Sequence, residues 1–302
     1  MSLEDIYKEV RTPFLFVYIN KIKGIGGAFM SNQRKPKDFS ELQFTDDFMF
    51  AIVMRKPHIC KKVLEIILDL KISKIEYQKE QESIDLAANA KGIRLDVYAE
   101  DDNNTIYNIE MQASVRKNLP KRSRYYQGMI DLNHLEKGMD YTLLKKSYVI
   151  FICKTDPFAY NLPMYTFENR CVQQPEFTLA DETVKIFLNA SGIEGNIGKG
   201  LRKLLDYINT GIPGDEFTEE LEKEIQKIRC NAKWRKDYMT LEEKYEEKLA
   251  EGLAEGFAEG FKQPILNSFK KGKTAEEISD FTDIPLEKVK EIIENFKNEQ
   301  KL

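Results

Sequence analysis

The absences in this sequence exclude several kinds of chemistry. No apolar run approaches the roughly 20 residues that carry a helix across a bilayer, so no membrane span is expected. Residues 13–19 are apolar, but Asn20, Lys21 and Lys23 follow with a poor cleavage site, which makes a weak signal peptide. The four cysteines, Cys60, Cys153, Cys171 and Cys230, are scattered without a CxxC spacing, and the two histidines are His58 and His134. That argues against a zinc site of the common spacings and fits a reduced, cytoplasmic protein. An excess of one charge is also missing: 46 Lys and Arg against 50 Asp and Glu give a net charge of -4. Bulk electrostatics therefore give no nucleic-acid signal, and any DNA binding must come from a local basic patch.

What is present is sharpest at residues 92–112. Ile93, Leu95 and Val97 alternate with Arg94 and Asp96; Tyr107, Ile109 and Met111 alternate with Asn108, Glu110 and Gln112. Side chains alternate with period two along a strand, and Asp101-Asp102-Asn103-Asn104 between the runs supplies a turn, so the segment reads as a hairpin with one polar face. If the polar faces coincide, Asp96 and Glu110 stand opposite or nearly so, with Cβ atoms roughly 4.5–5.5 Å apart. Two such carboxylates repel unless a positive charge sits between them, and a hard divalent cation such as Mg²⁺ is the usual answer. The alternative is an ordinary solvated hairpin face.

Around the hairpin the pattern reads as α/β. Thr45-Asp46-Asp47 and the apolar positions that follow predict a helix over about 46–69, interrupted at Pro57. Residues 72–77 read as a strand, and Asn118-Leu119-Pro120 opens a helix to about Lys137. Residues 147–153 form a near-continuous apolar run suited to a strand buried on both faces. Residues 163–169 and 184–189 read as shorter strands, with helices near 198–209 and over 216–250. Trp234 and Tyr238 are expected to pack a helix onto the core, and His134 to be a surface helix residue.

The organisation that follows is an N-terminal extension at 1–43, a core at 44–192, a helical region at 193–250, a repeat at 251–264 and a small unit at 265–302. Residues 1–29 read either as native chain or as sequence upstream of a natural start at Met30. The repeat carries Gly252, Gly256 and Gly260 beside Leu253, Phe257 and Phe261. It reads equally as a tether or as a helix, in which each glycine would cost about 0.8–1.0 kcal/mol against alanine. A helix of that kind needs a partner surface, which hints at self-association into a homo-oligomer. Beyond it, Thr274-Ala275-Glu276-Glu277 is a capping box, and Ile278, Phe281, Ile284, Val289 and Ile292 are expected to pack a helix-turn-helix-like pair. Glu287, Glu291 and Glu294 on its second helix oppose phosphate, which favours a structural or self-association role over DNA reading.

Arg116, Lys117, Lys121, Arg122 and Arg124 form the densest basic cluster, with Tyr125 and Tyr126 beside it. Several fall in the first turns of the 118–137 helix, where positive charge opposes the helix dipole. A bound anion would offset that opposition, and DNA phosphate is the obvious candidate; the alternative is a solvated basic face. Arg124 and Tyr126 could equally brace a site.

The order Asp96…Glu110-Met111-Gln112 resembles the core of the PD-(D/E)XK nucleases, in which an Asp on one strand precedes an acidic residue, any residue and Lys on the next. The chain is most similar to the Rpn family of recombination-promoting nucleases and transposases, from about Phe44 to Asn189. The blocks carrying the resemblance are Asp47-Phe48-Met49-Phe50, Arg94-Leu95-Asp96-Val97, Ile109-Glu110-Met111-Gln112, Lys121-Arg122-Ser123-Arg124-Tyr125-Tyr126 and Tyr148-Val149-Ile150-Phe151-Ile152-Cys153, extended by Pro157-Phe158 and Tyr165-Thr166-Phe167-Glu168-Asn169-Arg170. Any one block is weak; the ordered set is specific.

The resemblance implies a restriction-endonuclease-like mixed-sheet core flanked by helices, followed here by a C-terminal helical region. It implies that Asp96 and Glu110 hold Mg²⁺, with Mn²⁺ able to substitute, and that Asp47 is an accessory metal-binding acid. It also implies hydrolysis of DNA phosphodiesters by a metal-activated water, in the recombination or mobile-element biology of a bacterium. Gln112 departs from the family pattern. A glutamine amide can orient water but brings no charge to the phosphate, so slow cleavage is in keeping with it. Two competitors follow: a catalytically silent DNA-binding or assembly protein that keeps the fold, and an RNA-directed nuclease.

Overall fold

The run Ser147–Cys153 is buried from end to end and forms the centre of a six-stranded mixed sheet. In this computed structural model, residues 36–77, 83–84, 93–94, 96–114, 118–282 and 284–299 are described. The readings for residues 1–29 and for Leu95, Arg116 and Lys117 lie outside them. Two compact units emerge, Lys37–Tyr238 and a second that holds Met239–Leu302. No helix among the described residues is long and apolar enough to cross a membrane.

In chain order the first unit contains α1 (Asp47–Met54), α2 (Pro57–Leu68), β1 (Ile75–Tyr77), β2 (Ser83–Ile84), β3 (Ile93–Arg94), β4 (Val97–Asp101), β5 (Ile106–Gln112) and α3 (Leu119–His134). Then come β6 (Ser147–Cys153), β7 (Met164–Phe167), β8 (Thr183–Asn189), α4 (Lys199–Thr210), α5 (Glu216–Arg229) and the start of α6 (Ala232–Lys270). The sheet order is β1-β4-β5-β6-β8-β7; β2 and β3 pair separately. β4 runs antiparallel to β5, whereas β5, β6 and β8 are parallel. A parallel neighbour needs a crossover, and α3 provides it between β5 and β6.

Pro57 opens α2 at its first position after an extended Lys56, which divides the expected 46–69 helix at the expected place. Each sheet face has its own core. Val97, Ala99, Tyr107, Ile109 and Met111 join residues of α1, α2, α4 and α5 on one side. On the other, Leu119, Tyr126, Met129 and Ile130 of α3 pack on Ile106, Val149, Phe151 and Cys153. Tyr238 is buried in the first core and Trp234 packs against it, as expected.

The expected 216–250 helix is two helices instead. α5 ends at Arg229, and Asn231 Oδ1 accepts from the main-chain N–H groups of Lys233 and Trp234, so an Asn cap starts α6 afresh. α6 then runs helically through the glycine repeat to Lys270, with Pro264 inside it. The Lys37–Tyr238 unit thus takes in residues 193–238 together with the core.

The second unit continues with α7 (Ala275–Thr282) and α8 (Leu286–Glu299). Thr274 and Glu277 form the capping box: Thr274 N–H donates to Glu277 Oε2 (2.8 Å), and Glu277 N–H to Thr274 Oγ1 (3.2 Å). Ile265, Ile278, Ile284, Val289 and Ile293 make its core, with Ile292 partly buried against it. Phe281 corrects the expectation, for it is 78 % exposed under Lys273 Nζ. Ser279 Oγ donates to the Ile284 carbonyl (2.6 Å), and Phe281 belongs to the outer side of the two-turn α7.

Candidate active site

The register of β4 and β5 pairs Val97 with Ile109 and Tyr98 with Asn108, so the next step puts Asp96 across from Glu110. Main-chain bonds link the two acids. Asp96 N–H donates to Glu110 Oε1 (3.2 Å), and Met111 N–H donates to Asp96 Oδ2 (3.1 Å). The polar face of the hairpin is not a solvated face: Asn108 is fully buried, Glu110 is 1 % exposed and Gln112 is buried too. Oriented to satisfy its neighbours, the Asn108 amide nitrogen donates to Val97 O and Glu110 Oε1, both at 3.3 Å.

What covers this face is α3, and its covering side is not wholly apolar. Arg122 and Tyr126, one turn apart, both lean toward the sheet. Arg122 Nη2 lies 3.1 Å from Glu110 Oε2, and Nη1 donates to Gln112 Oε1 (3.2 Å). Arg122 Nε and Nη2 both donate to the Tyr126 hydroxyl. The guanidinium lies 5.1 Å from the centre of the Tyr126 ring and 5.6 Å from that of Phe151. Gln112 Nε2 turns back to the Met111 carbonyl (2.8 Å), so both ends of this amide are engaged.

Burial raises the Glu110 carboxyl well above the ordinary carboxylate range, and the Asp96 charge raises it further. The Asp96 N–H, Arg122 and Asn108 pull the other way without cancelling these effects. Tyr126 is raised for a related reason, first burial and then the charge of Glu110. A positive charge beyond Arg122 would relieve all of this.

The other expected residues divide. Asp47 is the exposed first residue of α1, a helix packed in the core on the opposite face of the sheet. Among the described residues no three His, Cys, Asp or Glu side chains stand close enough to hold a metal ion, so Asp47 is not gathered with Asp96 and Glu110. Lys121 and Arg124 are exposed on α3, while Arg122 turns inward. His134 is more than a surface residue: its Nε2 shares a hydrogen bond with the Tyr98 hydroxyl, and the two rings stack. The inward turn of Arg122, the amide of Asn108 and the Tyr98–His134 pair were not picked out from the sequence. One signal was present, namely the spacing of four between Arg122 and Tyr126.

A mixed sheet with helices on both faces, and an acid just before β4 paired with an acid on β5 beneath a crossover helix, defines a restriction-endonuclease-like α/β core. Residues 47–191 match the family described as PD-(D/E)XK nuclease family transposase. No curated protein and no solved structure matches the chain. The domain is therefore of the nuclease and transposase type.

Proposed function

We propose that the protein is a divalent-metal-dependent nuclease that hydrolyses DNA phosphodiesters, acting in recombination or in mobile elements. The observation that carries this reading is the Asp96–Glu110 pair, with Glu110 buried against a second carboxylate. The donor set fits the group. Two carboxylates offering hard oxygen atoms suit Mg²⁺ or Mn²⁺, which are commonly held by one or two carboxylates together with water and substrate phosphate. Asp96 and Glu110 would hold the ion, which when bound lowers the pKa of water and offsets charge on the phosphate.

The chain's own groups fix the acids before any ligand arrives. The Asp96 and Met111 N–H groups, together with the Asn108 amide, orient the carboxylates. Lys121 and Arg124 are exposed on the same helix turn as Arg122, which supports a role for them in meeting flanking phosphates. A catalytically silent binding protein is the second reading, favoured by one observation: Gln112 spends both amide ends on protein partners.

The test is incubation of the full chain with supercoiled plasmid, single-stranded DNA or RNA, in Mg²⁺, Mn²⁺ or EDTA, beside Asp96→Ala and Glu110→Ala. The expected result is metal-dependent DNA cleavage by wild type that either substitution lowers by at least about 10²-fold. Equal behaviour of wild type and variants would refute the reading. Cleavage of RNA alone would replace the substrate class.

A further inference from the structure

We infer that the Arg122 guanidinium is the group that meets the scissile phosphate, supplying from α3 the positive charge that Gln112 cannot supply from β5. The inference rests on reading Asp96 and Glu110 as the cleavage centre. Arg122 Nη1 donates to Gln112 Oε1 and Nη2 to Glu110 Oε2, so the cation stands directly over the two β5 side chains whose face would meet the phosphate. A residue serving only to bind the duplex at a distance would have no reason to be held there.

The fork is held before substrate arrives. The Tyr126 hydroxyl accepts from both Nε and Nη2, and the Tyr126 and Phe151 rings lie within cation–π distance. Those rings also keep the surroundings apolar, where a charge acts more strongly than in water. A guanidinium carries five N–H donors. Among the described residues, one hydrogen on Nη1 has no acceptor, and the side chain remains 21 % exposed beside a carboxylate that is 1 % exposed. The donor left over therefore belongs to the least sealed member of the cluster.

Charge balance points the same way. With both acids ionised, Arg122 leaves the cluster one negative charge, and a bound divalent cation turns that into one positive charge. One phosphodiester then neutralises the site. Without Arg122 the loaded site would be neutral and would carry no net attraction for charge that develops on the phosphate. The remaining Nη1 hydrogen can donate to one phosphoryl oxygen while the other four N–H groups hold the planar cation in place, a fixed placement that a flexible ammonium does not reproduce.

The competing role is that of a structural counter-ion, and metal binding separates the two. Arg122→Gln and Arg122→Lys would be checked by thermal melting, then titrated with Mn²⁺ alone by calorimetry, then assayed for plasmid cleavage with kcat and KM resolved. In Arg122→Gln, Mn²⁺ is expected to bind as tightly as in wild type or up to about tenfold tighter, since a competing cation has gone. Its kcat is expected to fall by about 10²–10³-fold with KM within about threefold. In Arg122→Lys, which keeps the counter-ion and guards against a variant that fails to fold, kcat is expected to fall about tenfold with Mn²⁺ affinity unchanged. An unchanged kcat in either variant, or Mn²⁺ binding lost in step with activity, overturns the inference while leaving the nuclease reading standing. A wild type that cleaves nothing overturns both.

Discussion

Arg122 on α3 and Glu110 on β5 form an ion pair of 3.1 Å in which the acid is almost wholly shielded and the base is not. Twelve residues apart in sequence, they join the crossover helix to the strand that it follows. The pair makes the charge state of one carboxyl matter to the whole unit. Glu110 is held on a sheet face where Asp96 repels its ionised form and burial removes the water that would otherwise stabilise it.

A pH dependence of stability follows in the metal-free protein. The folded-state pKa of Glu110 lies above its unfolded value, so the folded chain binds the proton more tightly. Stability therefore falls as pH rises from the ordinary carboxylate range through the raised pKa. Glu110→Gln has no charge to bury; it keeps one acceptor oxygen, for either Arg122 Nη2 or the Asp96 N–H, and puts an NH2 at the other position. In EDTA its melting temperature should gain on wild type between pH 5 and pH 8, by on the order of 1 kcal/mol or roughly 2–4 °C. Parallel melting curves across that range would contradict this account of the site.

Lys121 and Arg124 offer a separate test of the outer face of α3, since both are exposed while Arg122 is turned inward. If they contact phosphate, Lys121→Ala combined with Arg124→Ala should weaken binding to a DNA duplex in EDTA. It should also lower the slope of log K against log salt by about 1–2, since each phosphate contact contributes roughly 0.9. Cleavage need not be read at all. If slope and affinity stay at wild-type values, the two residues belong to a solvated surface.

Much of this arrangement was legible because alternation is a local property. Val97, Ile109 and Met111 against Asp96, Glu110 and Gln112 announced a two-faced hairpin, and the observed register pairs its faces as that alternation requires. Which helix returns over a strand is a tertiary matter, so the covering of the polar face was not legible, nor was the burial of Glu110. The basic cluster read as one patch because its charges are neighbours in sequence. A helix turns 100° per residue, and the same count that joins Arg122 to Tyr126 separates both from Lys121 and Arg124. Asn231 was passed over as a break because the Glu/Lys pattern continues on both sides of it, although its side chain caps α6.

Two glycines make opposite predictions from the same substitution. A Cβ on Gly192 would meet the Leu162 carbonyl oxygen at 2.5 Å and Asn189 Nδ2 at 2.7 Å. Neither can give way freely, because Asn189 Nδ2 donates to that same Leu162 oxygen (3.0 Å) and Arg202 Nη1 holds the Gly192 carbonyl (2.6 Å). Gly192→Ala must shift the backbone of the loop after β8, and a loss of about 2–3 kcal/mol is expected. Gly128, by contrast, lies exposed within α3 with nothing within 4 Å of the added carbon. Glycine there has more conformational entropy to lose on folding, so Gly128→Ala should stabilise by about 0.5–1 kcal/mol. Denaturant unfolding of the two variants beside wild type decides the matter. A stabilised Gly192→Ala would mean that the Asn189–Leu162 contact does not hold the loop, and a destabilised Gly128→Ala would mean that this part of α3 packs more closely than its open surroundings indicate.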